Sequence, residues 1–364
     1  MGHGWPIPQA HFLTWILGLR LRSRFQFSFD KPLGVSYDSG MKMNLSTVSK
    51  RVVDDEAAYL FLEELRWDGR PVCPHCASIG DHYFLTPKSD DGRRTRTGKV
   101  TVRRLWKCRD CRKQFSVLTG TIMHGTKISV RTWVLVIYEM CASKNGVASR
   151  EVERNYGLTP RSAWFLLQRI REAMKDDDPT ALFSGVVMTD ETWIGGAPKN
   201  RHRKVRNAEK AVGAPNTDKT VVFSVLHPES GKVRSRVVPN VRRDTLEAAI
   251  AEQVDMKNSV LHTDSAPMYT RIGWKFQDHK SVNHIMGEYV RKGVTTNHVE
   301  GFFSQLKRSI DGTFHAVSAT HLQRYLAEFD YRYSTRKVSD SDRMRDLLGR
   351  AGNRRLTYDT LTGC

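Results

Sequence analysis

The sequence has no run of 18 or more apolar residues, so no segment reads as a membrane-spanning helix. It is poor in acid: 39 Asp and Glu stand against 58 Lys and Arg, a net charge of +19. That excess draws polyanions, with nucleic acid as the leading partner. An anionic membrane surface fits less well, because the basic residues are spread along the chain and not gathered on one amphipathic helix. Cysteine is scarce, six in 364 residues, which excludes a disulfide scaffold. A secretory signal is also missing: the basic residues near the start (Arg20, Arg22, Arg24) follow the apolar patch Trp5–Leu17 and do not precede it. No acid occurs before Asp30. Residues 1–45 therefore read as an uncertain extension, either an organelle presequence or translation from an upstream start, with Met41 and Met43 just before the first helical pattern and the upstream start favoured. No internal repeat is visible, and 39% apolar content is too high for a disordered chain. The length predicts two or three folded units.

Four of the six cysteines are paired by spacing, Cys73 with Cys76 and Cys108 with Cys111. Two C-x-x-C turns supply the four soft ligands of a tetrahedral Zn2+ site. The 31 residues between the pairs are a long connector, which a hairpin excursion would absorb. The zinc is structural, holding a ribbon too small for its own core. Arg93, Arg94, Arg103, Arg104, Lys107, Arg109 and Arg112 surround it and suggest phosphate contact. Cys141 falls on the apolar side of a helix and reads as core. The helix before the ribbon is expected to bury Ala57, Leu60, Leu62, Leu65 and Trp67.

Beyond the ribbon, helices at 148–156 and 159–174 meet at Gly157, with Thr159 as an N-cap and Pro160 in the first helical position. This fits a helix-turn-helix in which Arg161, Ser162 and Phe165 face DNA while Leu166, Leu167, Ile170 and Met174 pack inward. "KDDDP" at 175–179 reads as a linker, after which the pattern turns to strands. The strings "KTVVFSVLH" and "GKVRSRVVPN" predict a hairpin, and "DTLEAAIAEQV" a helix capped by Asp244.

Two apolar strands end in acid, at Asp190 and Asp264. One such aspartate is an ordinary cap; two, on strands that can lie side by side, point to Mg2+ or Mn2+. A pair of such ions activates an attacking hydroxyl and stabilises the leaving oxygen at phosphorus. The late helix "NHVEGFFSQLKRSI" divides on a 3.6-residue period. Val299, Phe302, Phe303, Leu306 and Ile310 form the buried stripe; Asn297, Glu300, Ser304 and Lys307 form the other face. Glu300 offers a third ligand, and Lys307 a phosphate contact. Six basic residues lie between Lys199 and Lys210, among them Arg201, Arg203, Lys204 and Arg206, a loop suited to gripping phosphates beside the first acid. Trp193 next to Asp190 suggests base stacking or packing. His262, His298 and His315 read as structural, since hard-cation sites rarely need imidazole.

Thirty-five residues separate Asp264 from Glu300, the spacing of the DDE transposase and integrase superfamily. The strings "TDETWIGG", "HTDSAPMY", "TTNHVEGFFSQLKR" and "HLQRYLAEFDYRYSTR", with "CPHC" and "WKCRDCRKQFSVLTGTIM", resemble insertion-sequence transposases with an N-terminal zinc ribbon, relatives of the Merlin elements. The resemblance covers roughly residues 50–340 and leaves out the first 40. It implies an α/β chain: a helix plus zinc ribbon over 46–125, a helix-turn-helix over 126–178, an RNase-H-like catalytic domain over 179–338, and a tail over 339–364. It further implies a metal-bound triad of Asp190, Asp264 and a third residue, a lysine at Lys307, double-stranded DNA as partner, and a homo-oligomer that pairs two element ends. Parts of this family carry asparagine as the third member, so Asn297 and Glu300 both stand. The chain is expected in the cytoplasm with the nucleoid. A DNA-binding regulator with an inactive transposase-derived domain is the alternative.

Overall fold

A computed structural model describes residues 43–87, 92–94, 97–98, 100–176, 178–195, 219–282, 290–291 and 294–363. The expectations about residues 1–40 lie outside this range. Met43–Cys364 forms one compact unit.

The first half is a helical core carrying the ribbon. Helix α1 (Leu45–Arg51) is closed by a capping box between Asn44 and Thr47. Helix α2 (Asp55–Trp67) starts where the Asp54 side chain accepts from the Ala57 N–H. It ends at Asp68 in left-handed conformation (φ 46°). Its buried face is rotated from the expected stripe: Ala58, Tyr59, Phe61, Leu62 and Trp67 point inward, while Leu60 is 48% exposed. The rotation brings Glu63 inward as well, where Arg104 and the Trp106 indole N–H satisfy its carboxylate, each at 3.0 Å.

Five two-residue strands build the ribbon: β1 (Tyr83–Phe84), β2 (Arg93–Arg94), β3 (Val100–Thr101), β4 (Trp106–Lys107) and β5 (Gln114–Phe115). Strands β1, β4 and β5 form one antiparallel sheet. The β2–β3 pair is the hairpin that absorbs the long connector. Trp67 anchors the ribbon to α2, edge-on to Trp106 at 6.1 Å and to Phe115 at 5.8 Å.

Helix α3 (Val130–Ala142) is buried nearly all round, Cys141 included, because α1, α2 and a late helix all pack on it. Helices α4 (Ser149–Tyr156) and α5 (Pro160–Met174) follow the expected signals: Gly157 adopts φ 61°, and Thr159 accepts from the Ser162 N–H. The supposed linker after α5 is clamped. Arg234 donates to Asp176 and to the Ala181 and Asp178 carbonyls, and Arg354 to the Glu172 and Lys175 carbonyls.

The second half is a five-stranded sheet with helices on both faces. Its strands are β6 (Phe183–Ile194), β7 (Thr220–His227), β8 (Lys232–Val238), β9 (Val254–Asp264) and β10 (Asp278–Val282), in the order β10-β9-β6-β7-β8. Strands β6, β7 and β8 form an antiparallel meander, while β9 and β10 add in parallel beyond β6. Helices α6 (Arg243–Ala251) and α7 (Pro267–Gly273) cover one face, packing with Val187, Phe223, Val225 and Leu261. Asp244 does not cap α6; it sits in the first turn, after an N-cap at Arg242 that makes no side-chain bond. A short hairpin, β11 (Val290–Arg291) and β12 (Val294–Thr295), leads into α8 (Asn297–Ser309), which a π turn over Ile310–Phe314 continues. Helices α8 and α9 (Ala319–Ser334) cover the other face, against Met188, Ile194, Val222 and Leu226.

Helix α9 joins the two halves. Glu328, fully buried, receives Arg171 of α5 at 2.6 Å and Arg332 at 2.7 Å. Asp330 accepts from the Ser235 N–H at 2.7 Å and its hydroxyl at 2.6 Å. Burial pushes that carboxyl up to about 7, although both Ser235 bonds lower it. The chain end is no free tail: α10 (Asp340–Gly349) packs with Met344, Leu347, Leu348 and Ala351 in the helical core, and α11 (Tyr358–Thr362) follows.

Candidate metal centres and DNA-facing surfaces

The two cysteine turns fold alike. Cys73 N–H bonds the Ser78 carbonyl and Cys108 N–H the Lys113 carbonyl, both at 2.9 Å. The residue after each second cysteine, Ala77 (φ 61°) and Arg112 (φ 59°), is left-handed. These turns aim the His75 and Cys76 N–H groups at the Cys73 sulfur, and the Asp110 and Cys111 N–H groups at the Cys108 sulfur. The four Sγ atoms lie within 4.8 Å of one another. Cys73–Cys111 is 3.7 Å and Cys76–Cys108 3.6 Å. A tetrahedron with Zn–S bonds of about 2.3 Å has edges of about 3.8 Å, so the cage fits Zn2+. Of the basic residues around it, Arg104 is committed to Glu63 and to the face of Phe84, 4.6 Å from the ring centre. Arg109 and Arg112 are exposed.

The acids are built from the sheet. Strands β6 and β9 pair in parallel up to Met188 opposite His262. Asp190 and Asp264 each follow two residues later, hence at one level and on one side of two neighbouring strands. Uninterrupted pairing of Asp190 with Ser224 and of Asp264 with Val282 preserves the alternation. That side is the one α8 covers, since Met188 packs with Val299, Phe302 and Phe303. The Asp190 carboxylate accepts from the Glu191 N–H at 2.8 Å, and Asp264 from the Ala266 N–H at 3.1 Å.

Helix α8 presents its residues as its period requires. Val299, Phe302, Phe303, Leu306 and Ile310 are buried; Asn297, Ser304 and Lys307 are exposed. Glu300 is half-buried and accepts the Thr296 hydroxyl at 3.1 Å. Among the described residues, the four cysteines are the one group of three or more His, Cys, Asp or Glu side chains gathered tightly enough to enclose an ion. Asp190 and Asp264 share one face of the sheet, beneath α8.

One residue here escaped sequence reasoning. Glu191 points to the opposite face, where the Tyr269 hydroxyl donates to it. Burial pushes its carboxyl up to about 7; the Tyr269 bond lowers it, and the charges of Asp190 and Asp264 raise it further. The signal was its place directly after Asp190, with no period to single it out. Trp193 is 42% exposed on β6. His262 is buried, with burial lowering its ring below the usual range.

On α5, Leu166, Leu167, Ile170 and Met174 are buried, as the sequence pattern predicts. The outer face is partly covered. Arg161 lies 3.9 Å above the Tyr358 ring, and Phe165 meets that ring edge-on at 5.5 Å. Arg161 stays exposed and Ser162 half-buried. The basic loop with Lys199, Arg201, Arg203, Lys204 and Arg206 lies outside the described residues.

Comparison with known proteins matches residues 182–334 to the ISXO2-like transposase domain and residues 53–114 to the transposase zinc-ribbon domain. The chain is similar to an uncharacterized protein in transposable element ISH50 of Halobacterium salinarum, 22% identical over 313 residues, 82% of this chain and 97% of that protein.

Proposed function

We propose, for a chain that belongs to the insertion-sequence transposases with an N-terminal zinc ribbon, that it binds element ends, hydrolyses a phosphodiester there and joins the freed 3′-hydroxyl to target DNA. The carrying observation is the level placement of Asp190 and Asp264 on adjacent parallel strands beneath α8. An antiparallel meander extended by two parallel strands, with helices on both faces, supports the RNase-H-like core.

Asp190 and Asp264 would hold Mg2+ or Mn2+, with Glu300 or Asn297 as third ligand. Oxygen donors suit hard cations. The bound ions supply charge neutralisation at phosphorus and a more acidic attacking hydroxyl. The N–H bonds from Glu191 and Ala266 fix the two aspartates, so their oxygens need little reorganisation when DNA arrives. Lys307, exposed two turns beyond Glu300, is placed to hold a backbone phosphate. Arg161 and Ser162 on α5, and the basic loop, add DNA contacts. Two ends must be brought together, so the working form is at least a dimer.

Asp264→Ala should abolish Mn2+-dependent cleavage of element-end DNA, by about 10³-fold or more, with end binding unchanged. Retained cleavage would mean the carboxylates are misassigned. An inactive wild type that still binds DNA would favour the regulator alternative.

A further inference from the structure

A cavity of about 800 Å³ lies between the α3–α4 loop, helices α4 and α5, and the π turn after α8. Its size falls in the roughly 300–1,000 Å³ range of sites that enclose one small ligand. A duplex is far larger, its major groove alone being about 12 Å wide. Lys144, Arg150 and Arg154 line it and are exposed, Arg150 also pairing with Glu153 at 2.9 Å; Glu151 is the one acid among its lining residues. Helix α4 begins here, and its N-cap, Ala148, offers no side-chain acceptor for the first-turn N–H groups. Such an end favours an anion.

A second observation points the same way. Arg171 lines the cavity, only 1% exposed, and its Nη1 and Nη2 have no hydrogen-bond partner. Its Nε and Arg332 share a single carboxylate, Glu328. Arg332 also donates to the Ser143 carbonyl, whereas the Arg171 Nη groups keep donors without an acceptor at the cavity wall. The other wall is aromatic: Trp164, Phe314 and Tyr325 line it, with Arg171 3.9 Å over the Tyr325 ring. Gly146 is fixed there by close approach, since a Cβ at that position would fall 2.5 Å from Phe314 Cζ.

We propose that this cavity holds one unpaired nucleotide of a bound DNA strand, its phosphate towards Lys144, Arg150, Arg154 and the start of α4, its base against the aromatic wall. Stacking on aromatic rings beside a basic groove is how single strands are held without sequence preference. The inference rests on the DNA-acting reading above.

The test uses the full chain and fluorescence anisotropy with labelled oligo(dT), an abasic oligomer of equal length, and a blunt duplex. Wild type should bind oligo(dT) at least tenfold tighter than the abasic strand. The triple variant Lys144→Ala, Arg150→Ala, Arg154→Ala should weaken oligo(dT) binding at least tenfold and duplex binding less than threefold. Millimolar inorganic phosphate should compete poorly with oligo(dT). Equal binding of the abasic strand, equal loss on both DNA forms, no loss at all, or displacement by phosphate alone would each overturn the proposal. The Asp264→Ala cleavage assay reads the active site separately, so failure of either is distinguishable: that variant keeps the oligo(dT) preference whether or not cleavage survives.

Discussion

The ribbon and the acid site are both expected to hold metal, yet they are assembled in opposite ways. The ribbon's four sulfurs already stand at tetrahedral distances, drawn in by two short turns with the same backbone bonds. The aspartates stand 74 residues apart in sequence and are brought to one face and one level by the pairing of two long strands. Thiols carry little charge at neutral pH, and the N–H groups of Asp110 and Cys111 help to hold what charge Cys108 takes, so the four can gather in advance. Carboxylates at neutral pH repel one another and wait for a cation.

Four experiments can break or sharpen this contrast. The largest effect belongs to the cage. Cys108→Ser should remove the stoichiometric zinc and melt the ribbon, since structural zinc contributes about 10–16 kcal/mol in small modules; metal analysis with thermal melting reads both, and retained zinc would refute the assignment. Next is the third ligand. Glu300→Gln should weaken Mn2+ binding about tenfold, as loss of one charged ligand does, and Asn297→Ala less than threefold; titration followed by Mn2+ EPR gives the order, and the reverse order selects Asn297.

A smaller effect tests the repulsion itself. Without divalent metal, Asp264→Asn should raise stability by about 1 kcal/mol, roughly 2 °C in Tm, and Mg2+ should stabilise only the wild type. A destabilised variant would show the acid to be structural. The last concerns Asp330 on α9, whose carboxyl is raised to about 7 beside Ser235 of β8. The fold favours its protonated form, so that stability is full below the ordinary value near 4 and is lost as pH rises through 7. Asp330→Asn should flatten this part of the profile in urea melts between pH 4 and 8, and an unchanged slope would remove Asp330 as its source.

What the sequence made legible follows from range. The cysteine turns, the Gly157 stop, the Thr159–Pro160 start and the α8 stripe are local chemistry, and each stands where its residues put it. Asp190 and Asp264 were visible as acids ending apolar runs; their common level needed the strand register. The parallel edge strand β10 was missed because its residues Asp278–Ser281 are polar and mostly exposed, without the apolar run of a central strand. Leu60 and Asp244 misled for a related reason: apolarity and capping residues mark a helix but do not fix its rotation or its first residue. Nothing in residues 339–364 announced that they pack on helices made hundreds of residues earlier.

That last packing sets an order of events. Met43 exchanges hydrogen bonds with Ser341, the Ile122 N–H bonds the Ala351 carbonyl, and Thr121 pairs with Gly352. During synthesis the ribbon and helices α1 to α5 emerge well before α10, the piece that seals them. The nascent chain must therefore carry an unsealed apolar surface until residues 340–351 are made, exposed to misassembly. A chain cut before residue 340 would lack this closing helix and leave that apolar surface of the helical core uncovered.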